Sequence, residues 1–517
     1  MKHSHIINLF LAIALCSGIT SCNKFLDELP DNRTELDSEL KIAKLLVSAY
    51  PEATPNEIFE LYSDNTDDNG PSSSYFQLSE YDLYHWKDTG EEYQDTPHYL
   101  WASSYAAIST ANTALEAIEK MGNPASLAPQ RGEALLCRAY NHLVLANMFC
   151  NAYNSRANQQ LGIPYIEGVE TTVSPQYQRG TLEEVYQKIA RDLEEGIPLL
   201  SDDSYSAIKY HFNKKAAYAF AARFYLYYMQ PDFSNCDKVI EYATRVLGSN
   251  PSLVLRNWEA WGKISANDNV QPDAYIASSN DANLLMSSVV SNWGALCSPF
   301  MVGKRYLHNK DIAKDETSQS TGLWGTAQNF YVKPFTTTGS GADFSIVRKV
   351  GLYGNYMYCV PVIFNTDETL LCRAEAYILK KDYTRAAIDL NTWMHANMRS
   401  TLTLTPENIS AYYGMLDYYS PLTNKTPKKR LYPDFTIESG MQENMLHCLL
   451  HMRRIATLHD GLRWQDIKRY GIVIYRRDME NKRITDTMGT NDLRRAIQIP
   501  QSVILSGMQP NPRIDNN

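Results

Sequence analysis

Between residues 97 and 121 the apolar side chains Trp101, Tyr105, Ile108, Leu115 and Ile118 recur at spacings of three, four and seven, which places them along one face of an α-helix. A second helix is expected over 131–150. After Gly180, Thr181-Leu182-Glu183-Glu184 has the Thr-x-x-Glu form in which a hydroxyl and a carboxylate cap the first turn, so a third helix should start there. Its stripe is Leu182, Val185, Ile189, Leu193 and Ile197.

Two further stretches read as antiparallel helical hairpins. The first runs over 214–229, turns at Gln230-Pro231-Asp232-Phe233 and returns through Val239, Ile240, Ala243 and Val246 to a terminating Gly248. The second runs over 367–380, turns at Lys381-Asp382-Tyr383 and returns through Ala386, Ile388 and Leu390. The two align at Arg223 with Arg373, Tyr227 with Tyr377, Asp232 with Asp382 and Phe233 with Tyr383. The pentapeptide Leu-Leu-Cys-Arg-Ala also stands twice, at 135–139 and 370–374, each time within helical spacing. These features predict a degenerate hairpin repeat close to the tetratricopeptide pattern, with Ala219, Ala222 and Ala376 letting helices approach closely and stacked hairpins sharing a core. The fold class expected is mostly α. Segments 63–100, 151–180, 250–365 and 401–440 are instead rich in Gly, Pro, Ser, Asn and Asp with interspersed aromatics, and such long connections carry function more often than scaffold.

The first residues form a separate unit. Lys2 precedes an apolar run from Ile6 to Cys16 that is too short to span a bilayer, and small residues then lead to Cys22, as in a secretory leader over 1–21. Ile19-Thr20-Ser21-Cys22 has the form of a bacterial lipobox, so Cys22 is the expected lipidation site, and two acyl chains suffice for stable anchoring where one does not. The membrane is therefore expected as a partner only through a lipid anchor.

At 517 residues the chain exceeds the roughly 250–300 at which a single core stops growing, so more than one packed subregion is expected, divided here as 22–250 and 251–517 and packed as one globule. Its 58 acidic and 49 basic side chains give a formal charge of −9, which disfavours nucleic acid as a partner. Besides Cys16 and Cys22, the cysteines are widely spaced without a Cys-x-x-Cys pair, which argues for buried thiols instead of a disulfide framework or zinc site.

Catalytic patterns are absent: there is no phosphate-binding Gly-rich loop, no Gly-x-Ser-x-Gly elbow and no dinucleotide fingerprint. His447 and His451 have zincin spacing, but Cys448 stands where the general-base Glu would be, so a packed histidine pair is the better reading and no metal or cofactor is expected. Asn65-Thr66-Asp67-Asp68-Asn69-Gly70 opens like a calcium loop, yet Phe76 takes the place of the closing Glu, which favours a solvated turn. Arg463, Asp466 and Arg469 read as a structural ion-pair cluster. A glycosidase would need two carboxylates about 5 to 9.5 Å apart in a cleft, and nothing nominates such a pair.

Six blocks in order behind the lipobox resemble the SusD/RagB family of lipid-anchored nutrient-binding proteins of Bacteroidetes outer membranes. They are CNKFLDELP, RGEALLCRAYNHLVLANMF with LGIPYI, FNKKAAYAFAARFYLYY, ETLLCRAEAYILKKDYTRAAIDLN and IQIPQSVILSGMQPNP. The family's Gly-x-Arg-x-x-Asp-x-x-Arg block is kept from Gly461 to Arg469, whereas the helix before it, HMRRIATLHD, departs from the family's Arg-Glu-rich form. The resemblance implies tetratricopeptide-like hairpins beneath an irregular, loop-built binding face, and no chemistry performed by the protein. It also implies a lipid-anchored outer-membrane location facing the cell surface, and a SusC-like TonB-dependent barrel as partner. An oligosaccharide is the expected cargo, with oligopeptide capture as the alternative. Ligand contacts are expected from Asp67, Tyr75, Tyr84 and Trp86 in the first loop and from Trp293 and Trp324 in the central insertion, because flat rings stack on sugar C–H faces while Asp and Asn satisfy hydroxyls.

Overall fold

The computed structural model describes residues 36–71, 73, 75–172, 177–266, 269–298, 304–336, 344–353, 357–478 and 481–513. The leader over 1–21 and the Cys22 lipidation site lie outside the described residues. In chain order the helices are α1 (Glu39–Leu46), α2 (Asn56–Tyr62), α3 (Leu78–Tyr84), α4 (Pro97–Lys120), α5 (Ala128–Phe149), α6 (Leu182–Gly196), α7 (Lys214–Tyr227), α8 (Asn235–Leu247) and α9 (Trp258–Gly262). They continue with α10 (Val270–Tyr275), α11 (Trp293–Leu296), α12 (Lys310–Glu316), α13 (Thr366–Leu379), α14 (Tyr383–Asn397), α15 (Pro406–Met415), α16 (Met441–Ala456), α17 (Arg463–Arg469) and α18 (Gln501–Leu505).

The caps explain where the long helices start. Thr96 accepts from the Tyr99 N–H with Pro97 in the first turn of α4, Thr181 and Glu184 form the expected capping box of α6, and Asn213, Asn365 and Asp382 cap α7, α13 and α14. At the other end, Gly248 terminates α8 with φ +67°, a conformation that costs any side-chain-bearing residue. The hairpins pack in series, α4 on α5, α5 on α6, α7 on α8, α8 on α13 and α13 on α14. Ala219, Ala222 and Ala376 are buried at these contacts as expected, and α5 and α6 meet most closely at Gly132 and Gly196, where a Cβ on Gly132 would lie 2.8 Å from the Gly196 carbonyl oxygen. One expected stripe residue departs from the pattern: Ile388 is exposed, because α14 turns Ala386, Ala387, Leu390, Trp393 and Met394 inward instead.

The insertion over 250–365 is more structured than its composition suggests. Strands β1 (Asp67–Asp68) and β4 (Tyr306–Leu307) pair antiparallel, as do β2 (Asn283–Met286) and β9 (Val362–Asn365). β5 (Phe335–Thr336) pairs with β6 (Ser345–Ile346), and a three-stranded sheet has the order β3 (Val289–Val290), β8 (Tyr358–Val360), β7 (Gly351–Tyr353). Two small cores form in the insertion, the first joined by Leu458 from beyond it. Trp258, Trp261 and Tyr275 gather in one, and Trp293, Leu296, Phe344 and Cys359 in the other. The seven described cysteines are buried and free.

Candidate functional site

The outer face of the insertion is set by its attachment to the start of α4. Asp95, held at φ +62° just before that helix, accepts from the Ser291 hydroxyl at 2.5 Å and the Asn292 N–H at 2.7 Å. The Ser291 N–H donates to the Met357 carbonyl, Val290 pairs with Tyr358, and the Val290 N–H donates to the Glu52 carbonyl. These bonds bring Tyr99, from the first turn of α4, beside Tyr358 and Glu52. Burial, followed by the negative field of Glu52 and Asp95 and by Tyr358, pushes the Tyr99 phenol above its ordinary range. Tyr358 is 51% exposed and Met357 46%, so the face presents an aromatic ring and a polarisable thioether to solvent beside a carboxylate. Tyr99 and Tyr358 were not singled out in the sequence. Tyr99 sits in a helix's first turn and Tyr358 in a short alternating strand, and neither context distinguishes an exposed ring from a buried one.

Beneath this face lie three buried carboxylates, Glu57, Glu80 and Asp95, with Lys304 bonded to Glu80. Burial, reinforced by Asp95 and Glu80, drives the Glu57 carboxyl well above the usual carboxylate range, and burial raises Asp95 to about 6 against the hydrogen bonds from Ser291 and Asn292. Lys304 also reaches outward, its ammonium 5.3 Å from the centre of the Tyr75 ring.

Of the six expected ligand contacts, Tyr75 alone is exposed, at 52%. The other five are buried and bonded to their surroundings. Trp86 is 2% exposed, donates its indole N–H to the Tyr62 carbonyl at 2.9 Å and lies 4.2 Å beneath the Arg476 guanidinium. Trp293 donates to the His459 carbonyl at 2.9 Å, and Trp324 to the Ser320 carbonyl at 3.1 Å while packing on His451. Tyr84 stacks on Tyr306 with centroids 4.6 Å apart, and its hydroxyl lies 3.4 Å from Asp67, whose carboxylate is taken by Arg477. Buried and hydrogen-bonded in this way, these side chains hold the loops to the scaffold in this structure. The structure brings Asp67 and Tyr84 together, and the Arg476 guanidinium lies over the rings of both Tyr84 and Trp86, 4.1 and 4.2 Å from their centres.

The Asn65–Gly70 segment is a buried junction and not the expected solvated turn. Asn65 bonds Glu60 and Arg454, Asp67 pairs with Arg477, and Asp68 grips Arg305 through two bonds of 2.8 Å. The zincin-spaced histidines are packed as expected: His451 bonds Ser320 at 2.7 Å and Tyr413 at 3.0 Å through its two ring nitrogens, and burial lowers its pKa to about 3. Among the described residues no group of three or more His, Cys, Asp or Glu is placed to hold a metal. The expected cluster on α17 is an ion-pair network: Asp466 joins Arg453 and Arg469, Arg469 continues to Glu375, and Arg463 turns away to Asp64.

Residues 24–226 match the SusD-like family described as starch-binding and associating with the outer membrane. No curated protein matches the chain. Among solved structures, a SusD superfamily protein from Bacteroides thetaiotaomicron VPI-5482 superposes with a TM-score of 0.65 at 16% identity, covering 93% of this chain and 100% of that one. A second SusD superfamily protein, from Bacteroides vulgatus ATCC 8482, gives 0.63 at 17% identity over 93% and 99%. A SusD-like carbohydrate binding protein from the same strain gives 0.57 at 15% identity over 90% and 95%. The expected resemblance to the SusD/RagB family is thereby supported, and the fold is that of SusD-like proteins, a helical tetratricopeptide-like scaffold carrying loop insertions. No helix among the described residues is long and apolar enough to cross a membrane.

Proposed function

We propose that the protein is an outer-membrane lipoprotein, anchored through Cys22, that captures an oligosaccharide on the face carrying Tyr99 and Tyr358 and passes it to a SusC-like TonB-dependent barrel. The observation that supports this most is that Tyr358, 51% exposed, stacks on no other ring among the described residues at the point where the insertion is bound to α4. A phenol ring offers a flat apolar face to a pyranose and a hydroxyl at its edge, and Glu52 is placed to accept from sugar hydroxyls. Tyr75 extends the same function on the neighbouring loop. The family description as starch-binding and the carbohydrate-binding relative point to the same cargo class. The protein acts by binding, leaving its cargo chemically unchanged, and segments 22–250 and 251–517 work as one unit.

Cargo that must be released to a transporter calls for micromolar to millimolar affinity, about −8 to −4 kcal/mol. Calorimetric titration against panels of neutral oligosaccharides and of oligopeptides tests the reading. It expects saturable binding of at least one saccharide, lost in Tyr358→Ala. Binding confined to the peptides, or cleavage of a bound saccharide by the purified protein, overturns it.

A further inference from the structure

A cavity of about 650 Å³ opens between the segment after α5, residues 432–434, the end of α17 and residues 490–496. Its volume falls within the range of small-ligand sites. Lys468 and Arg495 line it, both buried, and among the described residues neither has a carboxylate within ion-pair distance. The Lys468 ammonium donates to the carbonyls of Asn147 at 2.6 Å and Cys150 at 3.0 Å, which leaves one of its three N–H groups. The Arg495 guanidinium donates to the carbonyls of Gly489 at 2.7 Å, Ile467 at 3.0 Å and Ile472 at 2.5 Å.

Both groups are solvated by carbonyls at the C-terminal ends of α5 and α17, with no carboxylate paired to either among the described residues, and burying a charge is costly unless an opposite charge accompanies it. Of the carboxylates in the wall, Asp492 acts on Arg495 without pairing with it, and among the described residues none is paired with Lys468. Asp492 is held by Arg494 at 2.7 Å, and Asp434 by the Ser155 N–H and hydroxyl at 2.5 and 3.1 Å. Arg469 is already committed to Glu375 and Asp466, and Arg156 stands exposed at the rim. Asn151, Thr490 and Asn491 supply uncharged polar groups along the same wall.

We propose that this cavity is a second ligand subsite that takes a carboxylate-bearing sugar residue, its carboxylate seated against Lys468 and Arg495 and its hydroxyls against the neutral polar wall. The assignment rests on the reading of the protein as a saccharide binder and narrows its cargo to acidic glycans. Burial, together with the nearby Arg495 charge, lowers the Lys468 pKa to about 7 while Cys150 opposes the shift, so an arriving anion would draw a proton onto the amine near neutral pH. The other charged groups of the wall are Arg469, Asp492, Asp434 and Arg156.

The test titrates an oligogalacturonate and its uncharged methyl ester into the purified protein and into Lys468→Met and Arg156→Ala. A charge-assisted contact predicts that the acid binds roughly 10-fold tighter than the ester. Lys468→Met should erase that preference, Arg156→Ala, exposed and without consequence for folding, should reduce it several-fold, and titrations near pH 8 in buffers of different ionisation enthalpy should show proton uptake on binding the acid alone. Equal affinity for acid and ester, or a preference that survives both substitutions, overturns the inference. Neutral saccharides that bind in a Tyr358-dependent manner beside such a result leave the broader reading standing, whereas failure of every saccharide removes both.

Discussion

The two copies of Leu-Leu-Cys-Arg-Ala build the same staple in different surroundings. In the first, Arg138 on α5 grips Asp192 on α6 through bonds of 2.6 and 2.9 Å; in the second, Arg373 on α13 grips Asp389 on α14 at 2.9 and 2.8 Å. Both arginines reach the helix that follows, although the first is separated from it by the connection over 150–180. Each copy also follows a buried glutamate, Glu133 receiving Tyr50 and His211, Glu368 receiving Arg223. The contrast lies around the staple. Asp192 accepts a further 2.7 Å bond from Tyr165, Arg138 reaches Asn112, and His142 one turn on stacks on Tyr165 at 3.7 Å. Arg373 adds only Thr244, and its helix carries Tyr377 where the first carries His142. A repeated sequence thus fixes a repeated contact, while the neighbours decide how much depends on it.

Removing the acceptor separates the two copies most sharply. Asp192→Ala strands a buried guanidinium and a tyrosine hydroxyl and should cost about 5 kcal/mol, against about 3 kcal/mol for Asp389→Ala, both read by urea unfolding. Replacing both partners of the second pair, Arg373→Met with Asp389→Leu, should recover most of that loss, because an apolar pair of similar volume leaves no orphaned charge; the matching change at 138 and 192 should not recover it, since the Tyr165 hydroxyl loses its 2.7 Å acceptor and the Asn112 amide oxygen loses its donor. Next comes the close approach that only the first hairpin has: Gly132→Ala forces α5 and α6 apart at a cost of about 1 to 3 kcal/mol in the same assay.

The smallest effect is on pH. His142 donates from Nδ1 to the Arg138 carbonyl and accepts the Ile166 N–H at Nε2, which holds it neutral, and burial lowers its pKa from 6.5 to about 3. Above pH 6.5 neither folded nor unfolded chain protonates it; as pH falls from 6.5 toward 3 the unfolded chain gains a proton that the fold refuses, so stability declines through that window. Hydrogen exchange should therefore show acid weakening in α5 before α13, and His142→Gln should reduce the difference.

Helical spacing, caps and the repeat were readable because each is local: Thr181 with Glu184, Gly248, and the alanines of α7 and α13 act within a few residues of themselves. The fate of a loop ring is not local. Trp86 is enclosed by Arg476 and Trp293 by the His459 turn, and both partners lie far along the chain, so an aromatic in a polar segment could not be assigned to surface or core. The cavity at Lys468 is hidden for the same reason, since the absence of a partner carboxylate is a property of the assembled wall.

The account turns on which aromatic side chains meet cargo and which hold the loops in place. The most direct measurement titrates one bound saccharide into Tyr358→Ala and Trp293→Phe alongside thermal unfolding of each. The predicted result is lost binding with an unchanged melting temperature for Tyr358→Ala, and retained binding with a lowered melting temperature for Trp293→Phe. Affinity that survives at Tyr358 and disappears at Trp293 without loss of stability would contradict it.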